Sequence, residues 1–184
     1  MRLLAVFAAT AVFAWLAARS ALAADERLLL KVVDRDTGKP IACRMHLKNA
    51  RGVPVKVPKV PYWKDHFVFD GEIMLRLPKG NYTFVMERGA EYLERTGHFT
   101  IENFADDEKT VDLKRFADMA AEGWYAGDLH VHRPPKDIEL LMRAEDLYVV
   151  PVITWWNKTN LWKKEKPPAD LLVRFDGARH YHLM

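Results

Sequence analysis

Short runs of alternating apolar and polar residues, separated by turn-forming clusters, fill residues 26–115 and constrain the fold most. Along residues 41–48 every second side chain is apolar, as expected for a strand with one buried face. Clusters of turn formers, "DRDTGKP" at 34–40 and "LPKG" at 77–80, bound such runs. Many short strands at this spacing predict a small antiparallel β-sandwich over residues 25–115.

Two local features refine this prediction. Asp70-Gly71 suits a type I′ turn, so we expect the strands on either side of it, 67–69 and 72–77, to form a hairpin. Cys43 is the chain's only cysteine, so no intramolecular disulfide can form. The alternation puts Cys43 on the apolar side of its strand, which predicts a buried structural thiol.

The N-terminus has the pattern of a cleaved signal peptide over residues 1–23. A basic start and an apolar run precede Ala21-Leu22-Ala23, which supplies small residues before a cleavage site. The alternative is an uncleaved membrane anchor, which needs about 20 apolar residues, and this run is shorter and ends at Arg19. We therefore expect export to a periplasmic or extracellular location, with no stable membrane span after cleavage.

The charge balance argues against a nucleic-acid partner. Without residues 1–23, which hold Arg2 and Arg19, the chain has 26 basic residues against 25 acidic ones. A near-neutral protein offers phosphate groups no electrostatic attraction. We therefore expect no nucleic acid among the partners.

The pattern changes after a linker at residues 116–123. Residues 125–132 read as a strand, Pro134 to Asp137 as the start of a helix, and 151–154 as a second strand. Strand, helix and strand within about 30 residues form a βαβ unit. Residues 124–184 are therefore predicted to begin a parallel α/β sheet.

The strand at 125–132 carries the candidate metal ligands. Asp128, His130 and His132 lie two residues apart, so they share one face of the strand. Imidazole suits zinc, iron or manganese, and a carboxylate suits the harder ions of that group. We therefore predict that His130 and His132 bind a divalent metal ion, whereas an edge strand with its polar side in water is the alternative interpretation.

Residues 125–157, "YAGDLHVHRPPKDIELLMRAEDLYVVPVITWWN", resemble the start of the polymerase-and-histidinol-phosphatase (PHP) metal-dependent hydrolases. They look most like the exported CehA/McbA-like type. Residues 32–41 and 77–89 resemble the carboxypeptidase-regulatory-like and transthyretin-like sandwiches. The PHP resemblance implies a distorted (β/α) barrel in which two or three divalent ions activate water against phosphoester, ester, carbamate or amide bonds. It also implies that His130 and His132 are metal ligands, with Asp128 as a further ligand or as a support for an imidazole.

The sequence departs from the family at the end of the second strand, where an acidic ligand motif is expected. Thr154-Trp155-Trp156-Asn157 stands there, and neither indole can bind a metal. Asn157 offers one carbonyl oxygen as a candidate ligand. Trp155 and Trp156 are candidates for packing or for an aromatic platform under a sugar or aryl substrate.

Three further residues of this segment are candidate site residues. Arg133 follows the metal motif directly and is a candidate for pairing with an anionic group of a substrate. His180 and His182 share a face of a predicted third strand at 179–184, where they are candidates for ligation, for supporting the ligands, or for packing.

Only 61 residues follow Gly123, whereas a (β/α) barrel needs about 200 or more. We therefore expect the N-terminal part of an exported metal-dependent hydrolase, inactive alone and acting on a small-molecule or carbohydrate-type substrate. The alternative is a non-catalytic surface module that binds polysaccharide or protein and keeps a degenerate hydrolase remnant. Whether the chain is an enzyme depends on which of these holds.

Overall fold

The computed structural model describes residues 26–184, so the predicted signal peptide at 1–23 lies outside the described residues. Eight strands fill the first part of this range. They are β1 (Glu26–Asp34), β2 (Ala42–Asn49), β3 (Tyr62–Trp63), β4 (His66–Asp70), β5 (Glu72–Leu77), β6 (Gly80–Glu87), β7 (Arg95–Ile101) and β8 (Asp106–Leu113). They form a five-stranded sheet of order β3-β4-β2-β6-β7 and a three-stranded sheet of order β5-β1-β8.

One hydrophobic core joins the two sheets, so this part of the chain is a β-sandwich. Leu28, Leu75 and Leu113 come from the smaller sheet, and Met45 and Phe67 from the larger one, and each is at most 1% exposed. The period of two predicted for residues 41–48 is confirmed, because the odd-numbered residues of β2 face this core. Cys43 is completely buried, which confirms the prediction of a structural thiol.

Two details of the predicted sandwich are wrong. The sandwich is not purely antiparallel, because β1 pairs in parallel with β8. The hairpin at Asp70-Gly71 does not form either: β4 pairs with β2 and β5 pairs with β1, in different sheets. The chain crosses between the sheets at Gly71, which has a φ of 70° and whose N–H donates to the carbonyl of Ile41. A glycine at positive φ serves a crossing as well as a turn.

The second part of the chain contains a short helix and five strands. They are α1 (Ile138–Ala144), β9 (Val149–Val152), β10 (Trp155–Trp156), β11 (Thr159–Asn160), β12 (Leu172–Phe175) and β13 (Arg179–Leu183). The strand predicted at 151–154 overlaps β9 but begins two residues too late, the strand predicted at 179–184 is β13, and the two strands pair in parallel. The hairpin β10–β11 and the antiparallel strand β12 were not predicted. These elements form separate two-stranded and three-stranded sheets rather than a closed barrel within the described range.

Helix α1 packs on the outer face of the larger sandwich sheet. Leu140, Leu141 and Ala144 contact Ala42 and Val68 there. The opposite side of the helix, with Ile138 and Met142, packs against β9 and β13. One helix therefore supplies apolar contacts to both parts of the chain.

A buried ionic cluster ties the two parts together further. Asp146, whose side chain is only 6% exposed, forms ion pairs with three arginines. Arg88 and Arg115 belong to the sandwich side, at 3.2 and 2.6 Å, and Arg179 begins β13. Asp146 has a φ of 52°, a conformation that Asp and Asn tolerate better than most residues. A single carboxylate thus neutralises charge from both sides of the contact.

Candidate metal centre

The metal motif lies in an extended segment beside β9 that is less regular than predicted. Residues 125–132 do not form a continuous strand. Instead Gly127 and Val131 make isolated parallel bridges to Val149 and Val152. The two partners in β9 are three positions apart in the sequence, whereas the two partners in the motif segment are four positions apart. The pairing is therefore irregular between the two bridges. The prediction of a regular strand at residues 125–132 is therefore wrong, but the segment does lie parallel to β9, as predicted.

His130 and His132 converge on one point in front of this segment. Their Nε2 atoms lie 3.0 Å apart, and both residues are exposed. Two nitrogens bound to one ion at about 2.1 Å lie about 3.0 to 3.4 Å apart, so the pair has the separation of two ligands of a shared ion. Without an ion, one Nε2 donates a hydrogen to the other. The donor set and spacing fit a divalent transition metal.

Asp128 has a local role in the structure. Its carboxylate accepts a hydrogen bond from the backbone N–H of His130 at 3.0 Å. This contact fixes the backbone at the start of the motif, as an Asx-type turn does. The prediction that Asp128 binds the metal or supports an imidazole stays a prediction.

The other candidate residues are spread around the pair. The Trp156 ring lies 4.8 Å from the His132 ring, and Trp155 beside it is 70% exposed. Asn157 has a φ of 51° at the turn of the β10–β11 hairpin. The Arg133 guanidinium stacks on the Trp63 ring at 4.5 Å. The structure therefore places Trp156 beside a candidate ligand, and ties Arg133 to an aromatic side chain of the sandwich.

His180 and His182 do not complete the site in this structure. Their neighbours Tyr181 and Leu183 point into the core beneath β13, so the two histidines lie on its opposite face. His180 Nδ1 lies 3.3 Å from the carbonyl oxygen of Ala178. Across the described residues, the candidate groups of three metal-binding side chains do not include His130 and His132. Among residues 26–184, His130 and His132 are therefore a pair of candidate ligands outside any such group of three.

A groove of about 700 Å³ runs beside the motif, between the second part of the chain and the sandwich. Asp128, His130, His132 and Arg133 line one side, and sandwich residues that include Trp63 and His66 contribute to the other. A substrate bound in this groove would contact both parts of the chain. The sequence does not reveal this, because the contact between the parts depends on the docking of α1.

Sequence reasoning missed one cluster completely. His46, Asp65 and His66 are not among the candidate ligands predicted from the sequence, yet the ligand atoms of the three lie within 4.8 Å of one another. The only signal was the pairing of β2 with β4, which places His46 near His66. That signal was hidden because Asp70-Gly71 suggested that β4 pairs with β5.

No family model and no curated protein matches the chain. Among solved structures it is similar to the Bacillus anthracis TIE protein, at a TM-score of 0.40 and 20% identity over 59% of this chain and 19% of that one. It is also similar to BcpA, the major pilin subunit of Bacillus cereus, at a TM-score of 0.39 and 15% identity over 50% of this chain and 30% of that one. The chain thus spans less than a third of either protein, and at these TM-scores neither likeness supports a functional inference.

The structure bears on the prediction that no membrane span remains after cleavage of the signal peptide. Between residues 26 and 184, no helix is long and apolar enough to cross a bilayer.

Proposed function

We propose that this chain is the N-terminal part of an exported, metal-dependent hydrolase of the PHP type, in which His130 and His132 hold a divalent ion. The observation that carries the proposal is the 3.0 Å separation of their Nε2 atoms at an exposed position. Two imidazoles on one short segment leave most of the coordination shell open to water and substrate.

The chain's own residues would divide the work as follows. His130 and His132 would hold the ion through Nε2, and Asp128 fixes the backbone at the start of the motif by accepting the His130 N–H. The bound ion supplies a Lewis acid and lowers the pKa of water near the scissile bond. Trp156, whose ring is tilted against that of His132, would offer an apolar face to a sugar or aryl group of the substrate.

Arg133 is proposed to orient an anionic group of the substrate. Its Cζ atom lies over the Trp63 ring, 4.5 Å from the ring centre, and a guanidinium held by an aromatic ring can still donate from its N–H groups. A phosphate or carboxylate in the groove would accept from those N–H groups. Arg133 is thus proposed to act in substrate binding rather than in metal binding.

Catalytic metal sites usually have at least three protein ligands, so the proposal requires more than this pair. We propose that the remaining ligands come from chain that follows Met184. The intact mass of the gene product isolated from its own organism tests this. A mass at least about 15 to 20 kDa above the 21.3 kDa of this chain supports the proposal, because a barrel needs about 200 residues.

The second candidate is a surface module that binds polysaccharide or protein. The observation that favours it is the exposure of Trp63, Trp124, Trp155 and Trp156, each more than half exposed. Exposed aromatic side chains suit the faces of sugar rings. In this case no metal would be needed at His130.

Metal content separates the two candidates. The full-length gene product is dialysed against Zn²⁺ or Mn²⁺ and then against metal-free buffer, and bound metal is measured by mass spectrometry. The hydrolase proposal expects His130→Ala to lose one ion per chain relative to wild type, and exposed His98→Ala to lose none. An unchanged metal content in His130→Ala contradicts the hydrolase proposal and leaves the surface module as the better candidate.

A further inference from the structure

We propose a second divalent-metal site on the sandwich, formed by His46, Asp65 and His66 and independent of the pair at His130 and His132. His46 belongs to β2 and His66 begins β4, while Asp65 precedes His66 in the turn after β3. The His46 and His66 rings lie 4.9 Å apart. Three elements of one sheet thus bring two imidazoles and a carboxylate together.

Asp65 lies between the two imidazoles. His46 Nδ1 is 3.3 Å from Asp65 Oδ2, and His66 Nδ1 is 3.3 Å from Asp65 Oδ1. Ligand atoms of one shared ion lie about 3.0 to 3.4 Å apart, and these two separations, each to a different oxygen of Asp65, fall in that range. One ligand atom from each of the three residues lies within 4.8 Å of the others, so the group would contract around an ion. The two Nδ1 atoms face the same carboxylate, which gives an N₂O donor set.

Glu87 orients His46 for this role. Its Oε2 lies 3.1 Å from His46 Nε2, on the side of the ring away from Asp65. Arg44 donates to the same carboxylate oxygen at 2.9 Å. Burial alone would raise the pKa of Glu87, but the hydrogen bond and charge of Arg44 outweigh it and lower that pKa. Glu87 is therefore a carboxylate that accepts the His46 Nε2–H and leaves Nδ1 free to bind, as in carboxylate–histidine–metal triads.

The other two groups also favour the charge states that bind a metal. Burial lowers the pKa of His66, and a neutral imidazole is the form that offers a lone pair to a metal. The hydrogen bond from His66 lowers the pKa of Asp65, which is therefore ionised. A cation bound to both Nδ1 atoms and to Asp65 would balance the charge of the carboxylate while each ring keeps its proton on Nε2.

The site is open on one side. The Asp65 side chain is 46% exposed, and His66 borders the groove beside the motif. Imidazole and carboxylate ligands together suit Zn²⁺ and Mn²⁺ among common ions. The open side would take water or a ligand atom from a molecule in the groove.

The test uses the full chain with His130→Ala and His132→Ala already present, so that no metal can bind at those two histidines. Bound Zn²⁺ is measured after dialysis, and Co²⁺ is added separately because its visible absorption reports nitrogen and oxygen ligation. We expect this background protein to bind one ion per chain. His66→Ala and Asp65→Asn should lose that ion, and Glu87→Gln should weaken binding by about 10- to 100-fold. His98→Ala, on an exposed residue of the same sheet, should bind like the background.

The proposal is overturned if the background protein binds no Zn²⁺ and no Co²⁺, or if Asp65→Asn binds both as tightly as the background. Asp65 lies in a turn and its replacement keeps its shape, so this variant gives a result even if His66→Ala does not fold. Zn²⁺ should also raise the melting temperature of the background but not of Asp65→Asn. Because His130 and His132 are absent throughout, failure here leaves the hydrolase proposal untouched, and the reverse also holds.

Discussion

Replacing Asp146 by asparagine should destabilise the protein strongly, because it removes the single carboxylate that neutralises three arginines. The Asp146, Arg88 and Arg179 side chains are 6%, 10% and 12% exposed. Breaking a buried ion pair from one side costs about 3 to 5 kcal/mol, since the remaining charge stays buried without a partner. Arg115 keeps Glu91 at 2.6 Å, so the uncompensated charges are those of Arg88 and Arg179.

The expected loss is about 3 kcal/mol, the lower end of that range, because asparagine keeps one oxygen acceptor. Asparagine also tolerates the positive φ at position 146, so the backbone cost stays constant and the charge alone is tested. For a chain of this size, each kcal/mol lowers the melting temperature by about 2 to 4 °C. The melting temperature should therefore fall by about 6 to 12 °C.

The assay is urea unfolding followed by circular dichroism, with thermal unfolding beside it. Asp106→Asn is the matched control, because Asp106 pairs with Arg27 at 3.5 Å and both side chains are at least half exposed. That change should cost less than about 1 kcal/mol. If Asp146→Asn costs no more than Asp106→Asn, the reasoning about this cluster is refuted.

Three further predictions concern the sandwich. Burial raises the pKa of the Cys43 thiol far above its ordinary value. A thiol reagent at pH 8 should therefore label the folded chain hardly at all and the urea-unfolded chain fully. Labelling of the folded and unfolded chains at equal rates would contradict this prediction. Burial opposes ionisation of Asp34, but hydrogen bonds from Thr37, Tyr92 and Asp36 lower its pKa below the value of about 3.9 in the unfolded chain. That stabilisation is present above about pH 3.9 and is lost as the pH falls through the pKa of the folded state. Asp34→Asn should therefore be less stable than wild type at pH 7, and the urea midpoints of the two proteins should approach each other near pH 2. A constant difference in midpoint over that range would contradict the prediction. Gly71→Ala should lower the free energy of unfolding by at least about 1 kcal/mol, because the added Cβ would lie 2.8 Å from Pro40 Cβ at a φ of 70°. Gly38→Ala, which has open space around the added Cβ, measures the backbone cost alone. Equal melting temperatures for the two variants would refute the steric part of the prediction.

Local patterns predicted the strands but not all of their partners. The alternation at residues 41–48 fixes which side of β2 is buried, because a period of two depends only on neighbouring residues. The pairing of β4 with β2 depends on contacts more than 20 residues apart, and Asp70-Gly71 fits a hairpin turn as well as a crossing between sheets. The predicted antiparallel hairpin failed for that reason.

The candidate site shows the same division. His130 and His132 were predicted as a pair because they are two residues apart, and their Nε2 atoms do converge. The cluster of His46 and His66 was missed because it forms only when β2 and β4 are neighbours. The contact of Arg133 with Trp63 likewise needs the docking of α1 on the sandwich, which no local pattern specifies.

The position of α1 on the larger sheet has a consequence for the order in which the protein acquires its structure on the ribosome. Residues 26–113 contain every strand of the sandwich, so they can fold as soon as they emerge. Seven residues of helix are too few to be stable alone, and α1 needs the surface at Ala42 and Val68 as a support. The sandwich therefore acts as a template for the later part of the chain. A separately synthesised fragment of residues 116–184 should remain unfolded until it meets the finished sandwich.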